Sequence, residues 1–210
     1  MMIKKSASSP KKLKPEDFGA DYFSSGGYDE YETDVASWVP NMAKTVLRLI
    51  DKEHPQILDV GCAQGYLLAE LKKRGAGIAG LEFSKFAIQR AVKSIRPHIR
   101  RGSILTAVFP KNAYDAVICL DVFPYFTEKE MGRAAKNLVG WSRGIVFFAS
   151  LYRHSRQASQ KVNPDSLRKT TLSQKEYAQI FRRAGAEFFR AIDAGNGGAI
   201  LVFKKSAGRK

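Results

Sequence analysis

Residues 56–71 read Gln56-Ile57-Leu58-Asp59-Val60-Gly61-Cys62-Ala63-Gln64-Gly65-Tyr66-Leu67-Leu68-Ala69-Glu70-Leu71. A short apolar run of β type breaks at glycines and then becomes helix-periodic, which predicts a strand, a tight loop and a helix N-terminus. Small residues at 61, 63 and 65 let a ligand approach the backbone, and the first amides of the next helix are free donors with partial positive charge. The loop suits an anionic group. A dinucleotide-binding loop needs small residues at its first, third and sixth positions. Counted from Gly61 the sixth is Tyr66, so the pattern is instead Gly-x-Ala-x-Gly preceded by Asp59.

Further along the chain, a helix from Tyr66 to Arg74 leads to a second short strand that ends in Glu82, 21 residues beyond Gly61. An acid at that spacing in a βαβ unit accepts hydrogen bonds from two ribose hydroxyls; the alternative is a helix-start residue beside Ser84. A third element, His98 to Gly102, runs into Ser103-Ile104. The fourth strand, Tyr114 to Leu120, ends in Asp121-Val122-Phe123-Pro124-Tyr125-Phe126.

Asp59 with Gly61, Ala63 and Gly65, the spaced acid Glu82 and the Tyr114-Asp115-x-Val117 strand opening resemble the class I S-adenosylmethionine (SAM)-dependent methyltransferases over about residues 40 to 205. The resemblance implies an α/β fold: a three-layer, Rossmann-like seven-stranded sheet, mostly parallel, with an antiparallel C-terminal hairpin. The departures are Ala63 for the middle glycine, Ser103 for the acid that usually receives the adenine amino group, and Pro124-Tyr125 where small-molecule relatives carry Glu-His. The implied cofactor is SAM. Asp59 would order the loop or hold the cofactor's amino group, and Gly61, Cys62, Ala63 and Gly65 would present backbone to it. Glu82 would take the ribose, Phe83 the adenine face, and Ser103 and Ile104 the adenine pocket, with Asp121 and Val122 adding contacts after the fourth strand.

In an open parallel sheet ligands bind beyond the carboxyl ends of the strands. Methyl transfer asks little of side chains beyond alignment, so a general base matters only for a hydroxyl or protonated-amine acceptor. The candidates on the correct edge are Asp121, Tyr125 and His154. His54 and His98 fall on the opposite edge and read as structural. Tyr28 and Tyr31 are the candidate acceptor contacts from the aromatic segment 18–38. Arg153 and Arg156, in the basic stretch after the fifth strand, would pair with an anionic acceptor through guanidinium forks.

The chain has 210 residues and a net charge of +15. That length suits one domain with its own core. It divides into a flexible basic tail (1–15), an aromatic cover and helix (16–55, the helix from about Val39 to Lys52) and the cofactor-binding domain (56–205). The first 15 residues carry five lysines and no acid. Cys62 and Cys119 have neither metal-ligand nor disulfide spacing. No run is long and apolar enough to span a bilayer, and no apolar segment follows the first lysines as a signal peptide requires. The expectation is a cytoplasmic protein without metal or membrane span. Thr127 with Glu130, and Ser173 with Glu176, predict capping boxes opening two helices. Asn196-Gly197 predicts the reversal between the last two strands.

These readings converge on a methyltransferase acting on an anionic small-molecule, sugar or lipid-linked acceptor. RNA is the alternative acceptor, because the charge favours anionic partners. The three departures also leave open a non-catalytic SAM-binding scaffold. Acceptor identity, O- versus N-methylation and oligomeric state are not legible in the sequence.

Overall fold

The computed structural model describes residues 12–24, 31–152, 167–193 and 198–206. Seven strands, β1 (Gln56–Val60), β2 (Gly77–Glu82), β3 (Ile99–Arg101), β4 (Tyr114–Leu120), β5 (Ser142–Ala149), β6 (Ala186–Asp193) and β7 (Ala199–Lys205), form one sheet in the order β3-β2-β1-β4-β5-β7-β6. β1 to β5 are parallel, and β7 runs antiparallel between β5 and β6. The strand order reverses between β1 and β4, which is where open α/β sheets place their ligands. The expected fold class is the observed one. The hairpin strands are as expected, while the Asn196-Gly197 reversal lies outside the described residues.

Six α-helices accompany the strands among the described residues: α1 (Ala20–Phe23), α2 (Tyr31–Ile50), α3 (Tyr66–Lys73), α4 (Lys85–Arg90), α5 (Glu128–Trp141) and α6 (Gln174–Arg183). Alternation along the strands sends side chains to two cores. Leu58, Val117, Phe148 and Phe203 pack with Leu138 of α5 and Phe181 of α6, whereas Ile57, Ile118, Phe147 and Val202 pack with Val39, Met42 and Val46 of α2 and Leu71 of α3. Both capping boxes form: Thr127 and Ser173 each accept the amide three residues on, and Glu130 and Glu176 accept the cap amides in return.

One boundary differs from expectation. α2 begins at Tyr31 rather than Val39 and carries Pro40 in its interior. The lost donor and ring clash disfavour that position, but Val35, Val39, Met42 and Val46 lie on one buried face, so packing against the sheet overrides the local signal. At the amino end of β4, Asp115 accepts from the Gln56 amide at 2.8 Å and from Lys52 Nζ at 2.9 Å, and it also pairs with Arg143. The acid of the fourth-strand motif therefore staples three segments on the edge opposite the ligand side.

Candidate functional site

The carboxyl ends of β1, β2 and β4 open into a cavity of about 490 Å³, roofed by residues 12–23 and flanked by α2. Pockets of ~300–1,000 Å³ are the usual size for ligands. The glycine loop forms one wall. Gly61 has φ +76°, and a Cβ there would stand 2.3 Å from Val122 Cγ2, so the position requires glycine on both conformational and steric grounds. The Gly61 amide donates to the Leu81 carbonyl at 2.7 Å, tying the loop to β2. Ala63 also lies in the left-handed region, at φ +47°. The methyl in place of the family's middle glycine therefore fits the available space but strains the backbone.

Two carboxylates sit below this loop. Glu82 Oε2 accepts the Ala63 amide at 2.8 Å, and Oε1 accepts the Ser84 amide at 2.7 Å. At the end of β2 it thus ties the glycine loop to the residue that caps α4. Burial raises its pKa, while the amides of Ser84, Ala63 and Phe83 oppose the rise. Asp59 is only 5% exposed, and among the described residues no hydrogen-bond donor reaches its carboxylate. Burial, reinforced by the Glu82 charge, pushes its pKa up from 3.8 to about 7. An unpartnered acid on the cavity wall suits a cationic amino group. Cys62 borders the same space, but its side chain packs with Leu68 and Ile95, and burial followed by the Asp59 and Glu82 charges pushes the thiol up.

Beyond Glu82, Phe83, Ser103 and Ile104 line the cavity. The Ser103 hydroxyl accepts the Leu105 amide at 3.2 Å, and its carbonyl accepts the Thr106 and Ala107 amides. Serine has replaced the usual acid by capping a turn. Asn137 of α5 donates to the Ile104 carbonyl at 2.7 Å and fixes this wall.

Another part of the cavity lining is aromatic. The hydroxyls of Tyr125 and Tyr22 lie 2.5 Å apart, and Phe18 meets both rings edge-on at 5.1 Å. The Ser84 hydroxyl donates to the Phe18 carbonyl at 2.6 Å and accepts the Ala87 amide at 3.0 Å, so one side chain caps α4 and holds the roof down. Asp121, at φ +56°, borders the cavity with its side chain exposed to it. Protein walls around it raise its pKa, and the Arg168 charge partly offsets the effect. Lys12, Lys169 and Glu130 also line the cavity.

Residues 57–143 match the family model described as a methyltransferase domain. Residues 57–143 thus carry a methyltransferase domain. It is 29% identical over 116 residues to the ubiquinone biosynthesis O-methyltransferase of Chromobacterium violaceum, an alignment covering 48% of this chain and 46% of that protein. The chain thus matches less than half the length of that curated relative. Among solved structures it resembles magnesium protoporphyrin IX methyltransferase of Synechocystis with bound SAM at 18% identity, covering 94% of this chain and 100% of that one, with a TM-score of 0.67. It also resembles a Pyrococcus horikoshii protein at 14% identity, covering 91% and 96%, with a TM-score of 0.69. These likenesses concern the fold.

Within this methyltransferase fold, Asp59, Gly61, Cys62, Ala63, Glu82, Phe83, Ser103, Ile104, Asp121, Val122 and Tyr125 all border one cavity. Gly65 is set back from it. At φ +77° it caps α3, and a Cβ would come 2.9 Å from Ile95, so its role is packing and turn geometry. Tyr28, Arg153, His154 and Arg156 lie outside the described residues, as does the side chain of Tyr31. His54 and His98 are away from the cavity, bonded to the Gly75 carbonyl at 3.1 Å and Lys72 Nζ at 3.0 Å. Sequence reasoning left Phe18, Tyr22, Trp38, Lys12 and Lys169 unassigned as individual site residues. The aromatic density of residues 18–38 signalled the first three, the basic stretch after the fifth strand signalled Lys169, and the basic tail signalled Lys12.

Among the described residues no helix is long and apolar enough to cross a membrane, and no cluster of His, Cys, Asp and Glu suits a metal ion.

Proposed function

We propose that this protein is a SAM-dependent methyltransferase that modifies an oxygen or nitrogen of an anionic small-molecule, sugar or lipid-linked acceptor. The observation that carries the reading is that one cavity brings together two chemically different sets of groups. One is the glycine loop with Asp59 and Glu82, and the other is Asp121, the Tyr22 and Tyr125 hydroxyls and Lys169. Bound SAM supplies a sulfonium methyl whose leaving group needs little assistance, so alignment carries much of the rate.

The chain's own residues divide the remaining work. Asp59 faces the cofactor's amino group, Glu82 its ribose hydroxyls, and Phe83 and Ile104 its base. Asp121 is the proton acceptor for a hydroxyl or ammonium acceptor, since its raised pKa brings it closer to neutrality. The Tyr22 and Tyr125 hydroxyls orient the acceptor. Lys12 and Lys169 supply positive charge for its anionic group, with Arg153 and Arg156 as further expected contacts.

Calorimetric titration with SAM and S-adenosylhomocysteine (SAH) tests the cofactor site, comparing wild type with Glu82→Gln. Glutamine keeps the shape but points an NH₂ at an amide donor and removes the charge. Micromolar binding that weakens about tenfold or more, at least about 1.4 kcal/mol, is expected. Absence of binding by the wild type would overturn the reading. Labelled-methyl transfer into the acidic fraction of a metabolite pool, and not the neutral fraction, tests the acceptor class.

A further inference from the structure

Between Glu82 and Asp115 the chain contains no acid, yet it contains Lys85, Arg90, Lys93, Arg96, Arg100, Arg101 and Lys111. The fold gathers most of these along one border. α4, the short helix Arg96–His98 and β3 form the sheet edge opposite the C-terminal hairpin. Lys72 of α3 joins them, donating to the Ser94 carbonyl at 3.3 Å and standing 3.0 Å from His98 Nε2.

Two features distinguish this border from a solvated surface with mixed charge. Among the described residues, none of Lys85, Arg90, Lys93, Arg96, Arg100 and Arg101 forms an ion pair; the salt bridges join Lys52 and Arg143 to Asp115 and Arg74 to Glu70. Several of the cations are also held in place by neutral groups. Arg96 donates to the carbonyls of Gln89 at 2.7 Å and Ala91 at 3.2 Å, and Arg100 donates to that of Val108 at 2.9 Å. Arg90 lies over the Phe86 ring at 4.5 Å. A guanidinium has five N–H donors, so these contacts fix each group while leaving donors for an anion. Like charges held together without counter-charges repel one another, and a polyanion relieves that repulsion.

We propose that this edge docks the phosphodiester backbone of single-stranded RNA. Fixed guanidinium planes serve both phosphate forks and stacking on splayed bases. A lipid surface fits less well, because the one large hydrophobic side chain strongly exposed here among the described residues is Val108. The inference goes beyond the cavity reading and requires no acceptor. It makes the protein an RNA-binding methyltransferase whose docking face adjoins the cavity-lining residues Ser84 and Gly102 in the chain.

The test is fluorescence polarisation with a labelled mixed-sequence RNA of about 20 nucleotides, long enough for one basic groove, across a salt series. Lys85→Glu with Lys93→Glu changes two exposed side chains that make no internal hydrogen bond among the described residues. The control is Lys129→Glu with Lys136→Glu on α5, which has the same charge change on an element packed against β4, β5 and α6. The first pair should weaken binding several-fold and flatten the log K against log salt slope by ~1.4, about 0.7 per lost contact. The control should retain most of the affinity. Equal losses in both variants, no wild-type binding at low salt, or binding to anionic vesicles without RNA would each overturn the proposal. SAH titration of the same samples keeps failure of the docking face distinct from failure of the cofactor site.

Discussion

Replacing Asp59 with asparagine should alter the pH dependence of stability more than any other single change at the site. In the folded protein, burial and the adjacent Glu82 hold the Asp59 carboxyl at about 7 instead of 3.8. The unfolded chain gives up that proton near pH 4, whereas the folded chain keeps it to near pH 7. Between those values the folded state binds more protons, so stability falls as pH rises and the loss is complete above about pH 7. At 1.36 kcal/mol per pH unit the penalty reaches about 4 kcal/mol, a ceiling because confined water in the cavity stabilises part of the charge. The asparagine amide cannot ionise. Asp59→Asn should therefore gain stability relative to wild type as pH rises from 4.5 to 8, by about 2–4 kcal/mol, or several degrees in Tm at ~2–4 °C per kcal/mol for a chain of this size. Urea unfolding at several pH values, followed by the fluorescence of Trp38 and Trp141, measures the difference. Parallel stability profiles for the two proteins across that range would refute the argument.

Two further outcomes follow from the same residues. If a cationic amino group docks against Asp59, binding should expel its proton, so SAH titrations near pH 6.5 should show enthalpies that vary with the buffer's ionisation enthalpy in wild type and not in Asp59→Asn. The strained loop gives opposite results at neighbouring positions. Ala63→Gly relieves a left-handed alanine worth ~1–2 kcal/mol and adds back ~0.5–1 kcal/mol of chain entropy, for a net gain of a few tenths to about 1 kcal/mol. Gly61→Ala instead drives a methyl into Val122 and should cost more than ~2 kcal/mol together with cofactor binding. Thermal unfolding of both variants checks the pair.

What could be read from the chain was what neighbouring residues decide among themselves. The strand, loop and helix of residues 56–71, the position of Glu82 at the end of β2, and the capping boxes at Thr127 and Ser173 all depend on contacts a few residues apart, where glycine conformations and hydroxyl caps act locally. Regular alternation of strands and helices then leaves few topologies for a parallel sheet. The tertiary structure decided what depends on surfaces meeting. Packing against the sheet carried α2 through Pro40, and the fold brought Tyr22 to Tyr125 across 103 positions of sequence. Folding also left Gly65 behind the loop, spent Ser103 on a turn, and joined Lys72 to the basic border beside β3. Such pairings follow from which faces burial forces together, and no local pattern of residue types encodes them.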